Sequence, residues 1–120
     1  MNASIFNSFL EERKAIVLSE ITRLAQEGRT DESNVLKAKF NIYDISKAVY
    51  NAAEAPSKDG ASNSFQATFD KITSPWKASL EHARAHGDDR KVLIEEAKLE
   101  AAHEINAKYA ELSECKGGLS

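Results

Sequence analysis

The chain has 120 residues, 16 Lys+Arg against 19 Asp+Glu, a net charge of -3, 42% hydrophobic residues and one cysteine. That length predicts one domain, and the composition excludes a wholly disordered, collagen-like or disulfide-stapled chain. Residues 1–60 carry 8 basic and 9 acidic residues and residues 61–120 carry 8 and 10, so no charged arm points to nucleic acid.

Turning each residue by about 100° places Phe6, Leu10, Val17, Ile21 and Leu24 on one stripe of a first helix, residues 4–27. Gly28 stops it. A second helix starts at Thr30 or Asp31, where a capping oxygen precedes Glu32, and runs to Glu54. Its core stripe is Val35, Ala38, Ile42, Ile45 and Val49, and Pro56 closes it. Residues 55–62 read as the one long loop.

Ser74-Pro75 is either a kink within a third helix or the start of a new one. Phase decides for the kink. Phe65, Phe69, Ile72, Trp76, Leu80 and Ala83 stay within about 80° of one another across the proline, as one continuous helix over 63–86 requires. Gly87 ends it, Asp88 or Asp89 caps a fourth helix to Cys115, and Ile94, Ala101, Ile105 and Leu112 form the main stripe there. The expected architecture is an all-α antiparallel four-helix bundle of two helical hairpins, with a single domain over 1–115 and a flexible tail over 116–120. Exchange of hairpins between two chains is its competitor. The hairpins share a loose pattern, a glycine turn, acidic residues, then Val35-Leu36 or Val92-Leu93, which capping chemistry alone would also produce.

No apolar run reaches the roughly 20 residues of a membrane span. Met1 to Phe6 lacks a basic start, so no signal peptide is expected, and the lone Cys115 fits a reducing, cytoplasmic setting.

His82 and His86 have the i, i+4 spacing that puts two imidazoles on one helix face, but His103 lies ten residues further along the facing helix, about 15 Å away at 1.5 Å per residue. The pair reads as solvated and no cofactor is expected. Glu100-Ala101-Ala102-His103 matches half of a di-iron carboxylate motif, whose second copy is missing. Lys37, Lys39 and Lys47 point in different directions round their helix, which argues against a nucleic-acid face. No glycine-rich phosphate loop or nucleophile pairing occurs, so the expectation is a protein that is not an enzyme.

Two features stand above this background. Arg13 and Glu20 lie midway between the stripe of Phe6 and a second stripe of Ile5, Phe9 and Ile16. They read as a seam ion pair or, with tyrosine hydroxyls of the second helix, as a holder of an anionic ligand. The second feature is excess apolar width. Leu36, Phe40, Tyr43 and Tyr50 occupy a further face of the second helix, and Val92, Leu99, His103 and Ala110 lie opposite the main stripe of the fourth. Either two neighbours wrap each of these helices, or the aromatic face of the second meets a protein partner. The functional expectation is a non-enzymatic intracellular bundle acting by protein–protein contact, as a homodimer, adaptor or inhibitor, with Leu36, Phe40, Tyr43 and Tyr50 as interface. Its alternative is a bundle binding a small anion or a metal, through Arg13, Glu20 and Tyr43 or through His82 and His86.

Overall fold

Four helices make up the described residues, 3–54 and 64–118 of a computed structural model: α1 (Ala3–Gln26), α2 (Thr30–Glu54), α3 (Ser64–Ala85) and α4 (Asp89–Gly118). No strand occurs among them. The antiparallel four-helix bundle expected from the apolar periodicity is the fold. The loop expected over 55–62 lies outside the described residues.

Both tight turns are built by glycine in the left-handed region, Gly28 at φ 73° and Gly87 at φ 67°. That conformation lets Gly28 N–H donate to Ala25 C=O at 3.1 Å and Arg29 N–H to Leu24 C=O at 2.9 Å, the paired bonds of a Schellman helix end. The second turn repeats the first: Gly87 donates to Arg84 and Asp88 to Ala83, at 3.2 and 3.0 Å. Each atom pair is displaced by 59 positions, the difference between 87 and 28. The helix starts then diverge. Asp88 caps α4 by accepting the Lys91 N–H at 3.1 Å. At α2, Thr30 is already helical and the cap position falls to Arg29, whose guanidinium binds Glu32 and Glu27.

α3 runs unbroken through Pro75, as the phase of its stripe required. The missing proline N–H leaves the Lys71 carbonyl without its helical donor. Ser74 Oγ donates to that carbonyl at 3.5 Å, and Thr73 Oγ1 donates to Asp70 C=O at 3.4 Å. At the other end of the chain α4 continues to Gly118, three residues past its expected end at Cys115. The helix there takes in Lys116, Gly117 and Gly118, expected in the flexible tail.

The short turns make α1 antiparallel to α2 and α3 antiparallel to α4, so α2 and α4 run parallel and pack together in the middle. α1 flanks α2, α3 flanks α4, and the backbones of α1 and α3 do not approach each other. The bundle measures 49 × 32 × 24 Å, its long axis set by α4 at 1.5 Å per residue. Central placement explains the surplus apolar width of α2: one face meets α1 and another meets α4. Tyr43 and Tyr50, expected on an interface, are fully buried inside the chain. Ile45, expected in the core, is 38% exposed.

At one end of the bundle each helix contributes a ring. Phe6 of α1, Tyr50 of α2, Phe65 of α3 and Tyr109 of α4 lie with centroids 4.5 to 6.3 Å apart, mostly tilted or edge to face. Such geometry adds about 0.5–1.5 kcal/mol per pair to simple burial.

The 59-residue displacement of the turns extends through the core. Buried residues pair as Phe6 with Phe65, Leu10 with Phe69, Ile21 with Leu80, Leu24 with Ala83, Ile42 with Ala101, Tyr43 with Ala102, Ser46 with Ile105 and Tyr50 with Tyr109. The two hairpins are therefore equivalent about a pseudo-two-fold running along the bundle between α2 and α4. Val35-Leu36 and Val92-Leu93 are 57 apart and do not correspond. The turn bonds set the true frame, two residues away from the one suggested by composition.

Candidate functional site

Among the described residues, a polar cluster centred on Tyr43 ties three helices together. Its ring is buried and its hydroxyl donates to Glu104 of α4 at 2.6 Å. Arg13 of α1 reaches the other oxygen of the same carboxylate at 3.1 Å, with Arg13 and Glu104 side chains 33% and 37% exposed. Burial first, then the bond to Glu104, pushes the Tyr43 phenol up to about 12. A hydrogen bond to the Tyr43 hydroxyl, with the Glu104 charge beside it, holds the Arg13 guanidinium above its ordinary value.

Neighbouring pairs continue the seam along the helices. Lys39 of α2 meets Glu100 of α4 at 2.7 Å, Arg90 meets Asp31 at 3.5 Å, and Lys108 of α4 lies over the Phe9 ring at 5.7 Å. Between α1 and α2, Lys14 bonds Asp44 at 2.9 Å and Lys47 bonds Glu11. Lys14 also lies over the half-buried Phe40, which with Leu36 packs against the main core.

Chemically the Tyr43 cluster is closed. The Arg13 charge is matched by Glu104, the phenol donates to the same carboxylate, and an anionic ligand at Arg13 would have to displace that carboxylate. Arg13 does turn toward a tyrosine hydroxyl of α2, as anticipated. Glu20 does not join it, because Arg23 lies one turn away and takes the Glu20 carboxylate at 2.7 Å. Arg13 Nε is buried without a hydrogen-bond partner, so the guanidinium is held through its terminal nitrogens.

The interface expected on α2 is not a surface. Tyr43 and Tyr50 are interior, and Leu36 and Phe40 are half-buried against the same core. His82 and His86 are exposed, their rings stacked at 4.1 Å, with His86 Nδ1 bonded to the His82 carbonyl at 2.8 Å. Stacked rings present parallel faces and do not converge on one point, and among the described residues no three His, Cys, Asp or Glu side chains group as metal ligands. Glu100 is turned outward to Lys39 and His103 is exposed, so the Glu-x-x-His spacing faces no interior. The side chain of Cys115 lies outside the described residues.

Sequence reasoning passed over Glu104, Glu95 and the Asp31–Arg90 pair. Glu95 is 6% exposed, held by Lys98 at 3.2 Å, while its second carboxylate oxygen has no hydrogen-bond partner. Lys98 lies over the Trp76 ring at 4.6 Å. The readable signal was positional. Glu95 lies 59 residues after Leu36 and Arg90 lies 59 after Asp31, so a polar or opposite charge stands at each equivalent place.

No helix of the described residues is long and apolar enough to cross a membrane. Comparison with protein-family models, curated proteins and solved structures gives no match to this chain.

Proposed function

We propose that the protein acts without catalysis, by binding another protein through the outer face of α1. The observation that carries this reading is an internal control. Ile5, Phe9 and Ile16 form one stripe of α1, with Ile5 50% and Ile16 47% exposed and Phe9 half-buried against the core between them. At the equivalent positions α3 has Ser64, Thr68 and Pro75. Each of the two helices flanks its hairpin partner, α1 more closely than α3, and α3 packs without large apolar residues at those positions. An exposed stripe retained on one helix and absent from its counterpart fits a contact surface. The single cysteine supports placing that contact in the cytoplasm.

Photo-crosslinking residues installed at Ile5 or Ile16, with Thr68 as the matched control, test the reading in the expressing cell. A partner captured from the α1 positions, not captured from Thr68 and lost in an Ile5→Ser, Ile16→Ser variant is the expected result. Equal capture from both helices overturns it. Light scattering on the purified protein then separates a second copy of this chain from a different protein.

A further inference from the structure

Two hairpins equivalent about a pseudo-two-fold face a recognition problem. Surfaces that let the first hairpin pack on the second also let it pack on the first hairpin of another copy. The large residues of the core do not separate the outcomes, since Phe6, Leu10, Ile21 and Tyr50 correspond to Phe65, Phe69, Leu80 and Tyr109, whereas at the centre Ile42 and Tyr43 correspond to the smaller Ala101 and Ala102 and already favour unlike hairpins by volume. The charges between the hairpins discriminate as well.

Asp31 and Arg90 occupy the same position in the two hairpins, 59 residues apart, and pair with each other across the pseudo-two-fold at 3.5 Å. Two first hairpins would place Asp31 against Asp31. Two second hairpins would place Arg90 against Arg90. Only unlike hairpins bring opposite charges together.

Arg13 and Glu104 carry the same logic into the half-buried seam, where they pair at 3.1 Å. The equivalent of Arg13 is Ile72, and the equivalent of Glu104 is Ile45. Two first hairpins would set each Arg13 against Ile45 and leave each buried Tyr43 hydroxyl without its Glu104 acceptor. Two second hairpins would set each Glu104 against Ile72. Either mistake leaves a half-exposed charge facing an apolar side chain without its partner, which costs more than having apolar residues at both positions. Lys39–Glu100 discriminates less, because the equivalent of Lys39 is Lys98, which would also attract Glu100.

We infer that Asp31, Arg90, Arg13 and Glu104 select the pairing of unlike hairpins and reject a like hairpin of a second copy of this chain. The inter-hairpin surface is a specific interface whose partner is the other half of the bundle. The assignment does not depend on the binding proposed for α1.

The test uses the full chain with Ile5→Ser and Ile16→Ser, so that association through α1 does not contribute. Each protein is refolded from denaturant, and the dimer-to-monomer ratio is read by light scattering, with helix content followed by circular dichroism. Arg90→Asp combined with Arg13→Ile and Glu104→Ile removes the charge discrimination and leaves only that of core volume, and a ratio raised roughly ten-fold is expected. Asp31→Arg with Arg90→Asp reverses the charges, keeps the rule and should refold with the parent ratio. Should the triple variant not fold, the exposed site decides alone: Arg90→Asp raises the ratio about three-fold and the reversed pair restores it. An unchanged ratio in Arg90→Asp and in any folded triple variant, or a reversed pair that behaves like Arg90→Asp alone, overturns the inference.

Discussion

The two seams between the hairpins differ in chemistry while sharing geometry. Where α1 passes α4, a guanidinium, a phenol and a carboxylate meet at Arg13, Tyr43 and Glu104. The same three positions in the other seam carry Ile72, Ala102 and Ile45. One backbone arrangement accommodates either solution, so the ion pair is not something the fold demands. Its role must be sought in what it excludes or binds. The same comparison isolates Glu95, a buried carboxylate standing where the first hairpin has Leu36, and the stripe of Ile5, Phe9 and Ile16, apolar where α3 is not.

The largest effect tests the equivalence itself. Phe6 and Phe65 are both fully buried in the four-ring cluster. Replacing either by alanine should cost about 3–5 kcal/mol in denaturant unfolding. The two losses should agree to within about 1 kcal/mol, allowing for the context dependence of cavity costs. A much larger gap would mean that one hairpin carries the stability and that the pseudo-symmetry is geometric only.

Glu95→Leu sharpens the contrast between the hairpins by restoring the residue found at Leu36. Removing one member of a buried ion pair leaves Lys98 without its carboxylate, so the variant should be less stable by about 1–3 kcal/mol. A stabilised Glu95→Leu variant would show that the desolvation of the carboxylate outweighs its contact with Lys98.

The smallest effect concerns Tyr43 and has a pH signature. Its phenol titrates near 10 when unfolded and is raised to about 12 in the fold, so the native state holds that proton more tightly. The associated stability is fully present below pH 10 and is lost as pH rises from 10 toward about 12. Tyr43→Phe removes the bond to Glu104, should cost about 1 kcal/mol at neutral pH, and should flatten that part of the alkaline limb. A wild-type limb identical to that of Tyr43→Phe would disconnect Tyr43 from the seam energetics.

Much of this was legible in the order of residues. The stripe of Phe65, Phe69, Ile72, Trp76, Leu80 and Ala83 stated that Pro75 lies inside one helix, and it does. Gly28 and Gly87 marked both turns because only glycine adopts positive φ at little cost. The candidate site was half legible. Arg13 was singled out by its place between two apolar stripes, yet its partner Glu104 lies 91 residues away, and helical wheels describe one helix at a time. Glu20, the nearer partner on the same face, was claimed by Arg23. The apolar width at Tyr43 and Tyr50 shows that a face is covered without showing whether a neighbouring helix or a partner covers it.

By itself the sequence determined the number of helices, their approximate bounds and most of their apolar stripes, since periodicity, glycine stops and caps act within a few residues. Tertiary structure alone decided that α2 and α4 lie at the centre, that buried residues of the two hairpins correspond at the spacing of Gly28 and Gly87, and that Arg13, Tyr43 and Glu104 converge. Those facts depend on which faces meet across the bundle. Apolar faces attract without direction, so the choice among pairings waits for the whole chain to pack.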